Sequence, residues 1–329
     1  MIDNYIRVGY KHPLHNLIFT PFEGHSEPLF RKLKEKYKWH PQIQFFFYDG
    51  DSALQADSSN CDYIPLLRPY CLEKHFQLHP HLQQEPIFYH DSDILWTKKL
   101  DFGPFIEDDV NYMSLANSYL DYDYLISKFD HSIPERKHEL LTLQPIEHLL
   151  SAFGIDVALI KENKFNTGGA QSLLKNITPE FWRRVYNGSI YIRSYFKILN
   201  QQFFPGDTPE EKENNGWQSW ALADMCSLLW NLWKDGKATK CPPEFNFSWA
   251  TSELQTLREN YIYHNAGVTA DIVVEPDGKK TFYFFKGRQG YVKGYSSPHQ
   301  EMERLVDVSS TKCSWWYVQQ LLKVNDPIF

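Results

Sequence analysis

The segment Pro86–Trp96, PIFYHDSDILW, decides how the rest of the chain is interpreted. It starts with apolar residues typical of a buried strand, and Asp91 and Asp93 interrupt the run. Two carboxylates at positions i and i+2 of an extended segment point to the same side, where they can share one hard cation. At the end of a buried strand, such a pair is costly without a cation or donor groups. An exposed turn with two solvated acids is the alternative that this segment leaves open.

Apolar runs that predict strands alternate with helical spacing over the first third of the chain. Strands are predicted at 17–22, 42–48, 86–96 and 110–115, and helices at 27–37 and within 63–80. This alternation predicts an α/β chain with a parallel, doubly wound sheet, in which ligands bind at the carboxyl ends of the strands. Asp49, Asp51, Asp91 and Asp93 are therefore expected at one edge of the sheet.

The rest of the chain predicts further strands and helices. Val157–Ile160 has the pattern of a strand, the segment 166–174 that of the start of a helix, and the acidic stretch Gly206–Gly216 that of a mobile loop. The other predicted elements are a helix from Trp217 to Trp233 closed by Gly236, strands at 261–268 and 272–285 with a hairpin turn at Pro276–Gly278, and a helix at Ser314–Leu322 docked on the core.

The composition limits the classes of partner. The chain has 329 residues, of which 34 are basic and 41 acidic, and a formal charge of -7. A basic surface over the whole chain, typical of nucleic-acid binding, is not expected, although basic residues can be confined to one face. Five cysteines without a CxxC spacing predict reduced thiols. Without a signal peptide or an apolar run of roughly 20 residues, we expect no membrane partner and a cytoplasmic location, in the host cytoplasm if the protein is viral.

His264 is the candidate for a third metal ligand. It follows an apolar segment and lies in Tyr263-His264-Asn265-Ala266-Gly267, so its imidazole can close a metal site from the far half of the chain. Mixed nitrogen and oxygen ligands favour Mn²⁺ modestly over Mg²⁺. The alternative is a buried histidine whose ring nitrogens are satisfied by hydrogen bonds.

Asp224 is the candidate catalytic base. It lies in the predicted helix WQSWALADMCSLLW, on the same face as Trp217 and Trp220, so a carboxylate is set within an apolar stripe. There it can remove the proton of an acceptor hydroxyl while the two tryptophans stack on the acceptor. Attack assisted by this base would proceed in line and invert the centre that is attacked, and a retaining route follows if no base reaches the acceptor. The alternative is a carboxylate paired with a neighbouring Arg or Lys.

A glycine pair marks a further candidate site. Gly168 and Gly169, in Asn166-Thr167-Gly168-Gly169-Ala170-Gln171, let the backbone approach a ligand at the expected start of a helix. A plain helix N-cap is the competing explanation. Five further residues are candidates for binding a donor substrate, and each can equally be a surface residue. Three are polar residues at the ends of the first two strands and two are basic: Thr20, Tyr48, Asp49, Arg68 and Lys286.

The quoted motifs resemble those of GT-A-fold glycosyltransferases. IFYHDSDILW is similar to the DxD motif of that family, NTGG to its NxGG segment, and His264 beside Gly267 to its C-terminal metal ligand. The resemblance implies a GT-A-like doubly wound mixed sheet flanked by helices, with Mn²⁺ or Mg²⁺ held against a UDP-sugar. It further implies that Asp93 binds the metal and Asp91 the metal or the ribose. Sugar contacts are implied for Asn166, Gly168, Gly169 and Gln171, and nucleobase or ribose contacts for Thr20, Tyr48 and Asp49.

Within that resemblance, the order of motifs over residues 17–298 is similar to viral and kinetoplastid (base J type) glucosyltransferases that modify DNA bases. This implies transfer of glucose from UDP-glucose to hydroxymethylated bases. The implied organisation is a nucleotide-sugar-binding half at 1–115, an acceptor-binding half of the same domain at 116–300, and a C-terminal helix at 301–329.

Other functions stay open at this point. The acceptor can be a glycan, a lipopolysaccharide or a small molecule. Asp91-Ser92-Asp93 also resembles the DxD motif of phosphohydrolases, in which the first aspartate attacks phosphorus, although that motif usually follows the first strand. A non-catalytic module that binds a sugar or a metal is the third class.

Overall fold

The computed structural model describes residues 1–20, 27–49, 64–216, 219–266, 272–274, 277–282 and 308–323. Within them the chain is a mixed α/β protein, which confirms the predicted class. The strands are β1 (Leu14–Thr20), β2 (Ile43–Asp49), β3 (Ile87–Tyr89), β4 (Ile94–Trp96), β5 (Asn111–Leu115), β6 (Gly168–Leu174), β7 (Thr239–Lys240), β8 (Phe247–Trp249), β9 (Ile262–His264), β10 (Ile272–Val274) and β11 (Lys280–Phe282).

The helices range from one turn to 25 residues. They are α1 (Ile2–Val8), α2 (Glu27–Tyr37), α3 (Leu67–Leu78), α4 (Gly103–Ile106), α5 (Asn117–Leu120), α6 (Tyr122–Ser127), α7 (Lys137–Thr142), α8 (Pro145–Phe153), α9 (Val157–Glu162), α10 (Pro179–Phe203), α11 (Pro209–Asn215), α12 (Ser219–Lys234), α13 (Thr256–Glu259) and α14 (Cys313–Leu322). In the described part of the chain, none of them combines the length and the apolar character that crossing a bilayer requires.

The described strands form four short sheets rather than the single parallel sheet that the sequence predicts. The pairs β1–β2 and β10–β11 stand alone, while the other sheets have the orders β3-β6-β5-β7 and β4-β9-β8. The pair β1–β2 is parallel, whereas β6 is antiparallel to both β3 and β5. The prediction of a single strand at 86–96 is wrong, because this segment forms two strands that pair with different partners, β3 with β6 and β4 with β9.

Three predictions for the middle of the chain are also wrong. Val157–Ile160 belongs to helix α9, which the Asp156 carboxylate caps by accepting from the Ala158 N–H at 2.7 Å. The segment 166–174 contains strand β6, because all seven of its residues are buried and it pairs on both sides. The stretch 206–216 contains helix α11, which begins with a capping box of Thr208 and Glu211.

Three later predictions are confirmed. Helix α12 covers the described part of the tryptophan-rich segment, and Gly236 follows it with a left-handed φ of 68°. Strands β10 and β11 form the predicted antiparallel hairpin. Helix α14 is docked on the core through Val318, which is 1% exposed.

A helical layer holds the central core and positions the site. Helix α10 lies in contact with both α3 and α12. Phe76 of α3, Trp182 of α10 and Trp230 of α12 are almost completely buried in one apolar cluster. Because α3 also carries Arg68 and α12 carries Asp224, this packing places the two charged groups side by side.

Candidate metal centre

Asp91, Asp93 and His264 converge as the sequence predicts. The Nε2 atom of His264 lies 3.4 Å from Asp91 Oδ2 and 3.2 Å from Asp93 Oδ1. One ligand atom from each of the three residues lies within 4.8 Å of the other two, and the group can hold a metal ion. The His264 side chain is 6% exposed and the two carboxylates are 15% and 19% exposed, so the group is half-buried and reachable.

Strand pairing brings these residues together across the sequence. His264 is the last residue of β9 and lies opposite Ile94, the first residue of β4. Beyond that pair, the backbone N–H of Asn265 donates to the carbonyl oxygen of Asp93 at 3.1 Å. Ser92 and Asp93 form a turn rather than an extended segment, yet both carboxylates still face the same imidazole. The predicted shared direction is therefore confirmed, with a turn as its cause.

The spacing of the three ligand atoms suits a small divalent cation. Two ligand atoms that bind Mg²⁺ or a similar ion at right angles, each about 2.1 Å from it, lie about 3 Å apart. The distances from His264 Nε2 to the two carboxylate oxygens, 3.2 and 3.4 Å, are close to that value. A cation between the carboxylates would also reduce their mutual repulsion. The donor set of one nitrogen and two oxygens fits Mn²⁺ and Mg²⁺.

Arg68 connects this group to Asp224. Its Nη1 atom lies 2.6 Å from Asp91 Oδ1 and 3.4 Å from Asp224 Oδ2. Burial disfavours the charged guanidinium, but Asp224, Tyr89 and Asp91 outweigh that effect and raise the pKa of Arg68 well above its usual value. The Asp224 side chain is 5% exposed, and its contact with Arg68 corresponds to the ion pair that was the alternative to a catalytic base. The contact also brings Asp224 next to the metal ligands.

A narrow cleft is lined by Arg68 and Asp224. Sequence reasoning missed two of its lining residues, Tyr89 and Trp182. The one signal for Tyr89 is its position, two residues before Asp91. The interior of the cleft measures about 10 Å³, which is the room that one water molecule needs. A sugar therefore enters only if Arg68 or its neighbours move.

Two neighbours of Asp91 are held in their neutral forms. Burial raises the pKa of Tyr89 and lowers the pKa of His90. The Nδ1 atom of His90 lies 2.7 Å from the carbonyl oxygen of Asp91 and donates to it. Neither ring therefore adds a charge to this region.

Gln171 reaches the site through His264. Its side chain is completely buried, and its Nε2 atom lies 3.2 Å from His264 Nδ1. On the outer side of the imidazole, the ring of Trp249 lies nearly parallel to it, at an angle of 14° and a centroid distance of 6.3 Å. The predicted contact of Gln171 with a sugar does not fit a side chain that has no exposed surface.

The other members of the NTGG segment divide between the site and the core. Gly169 lines the cleft, and a Cβ there would overlap Tyr119, so glycine is needed for packing. A Cβ at Gly168 would overlap Met113 in the neighbouring strand. The Asn166 side chain donates to Asn163 Oδ1, and the backbone carbonyl oxygen of Asn166 accepts from the Thr239 hydroxyl. The predicted helix N-terminus is replaced by strand β6.

The remaining predicted donor contacts lie elsewhere or outside the described residues. Tyr48 is buried, and its hydroxyl bonds to His75, two turns beyond Arg68 on α3. Thr20 and Asp49 end the paired strands β1 and β2, as predicted, but their side chains lie outside the described residues. Four other predicted groups also lie outside: Asp51, Trp217 and Lys286 as whole residues, and the side chain of Trp220, whose backbone belongs to α12.

Comparison of the chain with protein-family models, with curated proteins and with solved structures gives no match.

Proposed function

We propose that this protein is a metal-dependent glycosyltransferase that moves a hexose from a nucleotide-diphosphate donor to a hydroxyl acceptor. The observation that carries the proposal is the convergence of Asp91, Asp93 and His264 next to a cleft that contains Arg68 and Asp224. Transfer of a sugar from a nucleotide diphosphate uses three kinds of group, and the site contains all of them: a set of metal ligands, a fixed cation and a buried carboxylate.

Asp91, Asp93 and His264 would hold Mn²⁺ or Mg²⁺. A bound divalent ion supplies Lewis-acid stabilisation of the negative charge on the departing diphosphate. The two oxygens of Asp91 are suited to different partners, since Oδ2 faces the imidazole and Oδ1 accepts from Arg68. Asp91 can thus bind a metal without losing its bond to Arg68.

Arg68 and Asp224 would act on the two substrates. The guanidinium of Arg68 is the described cation nearest to Asp91, and guanidinium groups match the geometry of phosphate oxygens. Asp224 would accept the proton of the acceptor hydroxyl at Oδ2 as the oxygen attacks the anomeric carbon. For that step Arg68 must turn from Asp224 toward the donor, which would also widen the cleft.

For the substrates, we propose UDP-glucose as donor and a hydroxymethylated base in DNA as acceptor, following the resemblance of the motifs. A glycan, a lipopolysaccharide or a small molecule is the second class of acceptor. The formal charge of -7 requires that any basic surface for DNA be local.

The test is a transfer assay with matched variants. The protein is incubated with a panel of nucleotide sugars, Mn²⁺ or Mg²⁺, and plain or hydroxymethylated DNA or a glycan mixture, while nucleoside-diphosphate release and acceptor mass are followed. We expect metal-dependent release and a mass gain of one hexose, both abolished by Asp93→Asn and retained in Asp109→Asn, which changes an exposed acid away from the site. Asp224→Asn should lose transfer and keep metal binding.

Other outcomes of this assay separate the alternatives. Diphosphate release with a mass gain on glycan alone would move the acceptor to that class. Phosphate release from phosphomonoesters, with no use of any nucleotide sugar, would replace the transferase with a phosphohydrolase that uses Asp91 as nucleophile. A protein that binds the metal or a sugar but turns over no substrate in the panel would be a binding module, and the proposal would be wrong.

A further inference from the structure

Gln171 is the polar residue behind the metal centre. It lies within β6, its side chain is completely buried, and its backbone N–H donates to Ser114 Oγ at 3.2 Å. Its side-chain amide meets Nδ1 of His264, the ring nitrogen opposite the one that faces Asp91 and Asp93. The imidazole is thus held between an amide on one side and two carboxylates on the other.

The orientation of the Gln171 amide and the tautomer of a neutral His264 ring are coupled through this contact. As the structure stands, Gln171 Nε2 donates to His264 Nδ1, so the proton of a neutral ring is on Nε2. From there it points at Asp91 Oδ2 and Asp93 Oδ1, as in a centre without a cation. A metal ligand instead needs a lone pair on Nε2, which puts the proton on Nδ1 and requires an acceptor beside it.

Gln171 can supply that acceptor by a half-turn of its amide. The amide nitrogen and oxygen have nearly the same size, so a half-turn about the last side-chain bond exchanges them without moving the chain. Among the described residues, Oε1 has no hydrogen-bond partner, and Nε2 is bonded to His264. In this part of the chain, therefore, the imidazole is the group that selects the orientation of the amide.

We propose that Gln171 is a positioning residue that serves both tautomers of His264, donating to Nδ1 without metal and accepting from Nδ1–H through Oε1 when Nε2 binds the cation. This proposal rests on the metal centre of the proposed function. It assigns Gln171 a role in metal affinity and none in direct contact with the sugar. A carboxylate at position 171 can only accept, so it should favour the metal-binding tautomer, whereas an apolar side chain should favour neither.

The test compares Gln171→Glu with Gln171→Leu by titration of Mn²⁺ at pH 8. Loss of a partner behind a metal-bound histidine typically lowers affinity about 10- to 100-fold, and we expect a loss in that range for Gln171→Leu. Gln171→Glu should bind as tightly as the unmodified protein or more tightly. Asn111→Leu, which removes a buried amide bonded to the backbone of Lys175, is the matched control and should keep full affinity.

A purely structural role predicts the opposite pattern. A buried carboxylate at 171 would then be at least as damaging as leucine, so equal losses in both variants would overturn the proposal, as would full affinity in Gln171→Leu. If the unmodified protein does not bind Mn²⁺, the metal centre itself fails, which is a distinguishable result.

A second measurement follows the imidazole in the unmodified protein and uses a variant only to assign its signals. Nitrogen NMR of the unmodified protein should show the neutral His264 ring protonated at Nε2 without metal and at Nδ1 with Mg²⁺, the His264 signals being identified by their absence in His264→Gln. A proton on Nδ1 in both states would overturn the proposal.

Discussion

Two clusters of titratable side chains in this molecule are organised in opposite ways. In the acid cluster, formed by Asp91, Asp93 and His264, two carboxylate oxygens face one ring nitrogen. In the histidine cluster, formed by His15, His75 and Tyr48, the polar atoms bond to one another: Tyr48 Oη lies 2.6 Å from His75 Nδ1, and His75 Nε2 lies 2.8 Å from His15 Nδ1.

The histidine cluster is neutral and satisfied from within. Burial lowers the pKa of His15 to about 4 and that of His75 to about 3; His79 and His81 contribute less to both shifts, and His15 also lowers the pKa of His75. Burial also raises the pKa of Tyr48 to about 12, so its hydroxyl stays protonated and can donate to His75. The neutral His75 ring then accepts from Tyr48 at Nδ1 and donates to His15 through Nε2.

The difference teaches how to separate a binding site from a structural network. Proximity of titratable groups is common to both clusters and therefore does not decide the matter. In the acid cluster, ligand atoms converge on one point at distances that suit a cation, and the like charges of the carboxylates oppose their close approach. In the histidine cluster, every close approach is itself a hydrogen bond.

The largest effect is expected when both carboxylates of the acid cluster are replaced. The double change Asp91→Asn and Asp93→Asn should lower Mn²⁺ affinity at least about a thousandfold, roughly 4 kcal/mol, because both anionic ligands become neutral. Without metal, the free energy of unfolding should change by less than about 2 kcal/mol, because the loss of the Asp91–Arg68 ion pair opposes the relief of repulsion between the two carboxylates. Calorimetric titration with Mn²⁺ and urea unfolding measure the two quantities.

His75→Gln is the matched change in the other cluster. It should leave Mn²⁺ affinity within about twofold of the unmodified protein, since His75 lies about two helical turns beyond Arg68. A large loss of stability without metal in the double variant would show that the acid cluster is a structural network and would remove the contrast.

The next effect concerns acid lability of the histidine cluster. Because the folded-state pKa values of His15 and His75 lie below the unfolded value of about 6.5, the unfolded state binds more protons as the pH falls. The contribution of the neutral His15 and His75 rings to the free energy of unfolding is complete above about pH 6.5 and is lost as the pH falls toward about 4 to 3. Allowing for the coupling of the two rings, we expect roughly 3 kcal/mol less free energy of unfolding at pH 4.5 than at pH 7.5, measured by urea unfolding.

His75→Gln again provides the comparison. The variant should be less stable at pH 7.5 by about 1–2 kcal/mol, since hydrogen bonds are lost, and its stability should depend less on pH over the same range. An unchanged slope in the variant would mean that other groups cause the acid lability.

The sequence predicted the acid cluster better than the fold around it. The spacing of Asp91 and Asp93 is a local pattern, and His264 could be matched to it because metal ligands are limited to a few residue types. The element at 168–174 was predicted incorrectly because its apolar residues fit a helix or a strand, and its burial between β3 and β5 decides between them. The role of Gln171 depends on a contact 93 residues away, for which no local pattern exists.

The histidine cluster was not predicted at all. His15 and His75 are 60 residues apart, and neither lies in a motif. Their contact arises because α3 packs against the pair β1–β2, and the packing of elements is a property of the whole core rather than of any segment.

The smallest effect is expected at Arg68, which lies on the same helix as His75 but bonds to Asp91 of the acid cluster. Arg68→Gln removes a positive charge 2.6 Å from Asp91 while keeping a hydrogen-bond donor there, so Mn²⁺ affinity should rise about three- to tenfold. Transfer should fall in the same variant, because the proposed partner of the diphosphate is lost. Arg136→Gln, which removes an exposed arginine paired with Glu139, should change neither quantity.

The direction of the affinity change in Arg68→Gln is the informative result. If Arg68 only stabilises the fold by neutralising Asp91, its loss should loosen the cluster and lower Mn²⁺ affinity, and the pH dependence of stability should shift as α3 is disturbed. If it is a second cation beside a metal centre, affinity should rise while the acid lability set by His15 and His75 stays the same. Arg68 and His75 share helix α3, but among the described residues the hydrogen bonds of Arg68 and those of His75 go to different partners. Tighter Mn²⁺ binding with unchanged acid lability would therefore show that helix α3 contributes independently to the acid cluster, through Arg68, and to the histidine cluster, through His75.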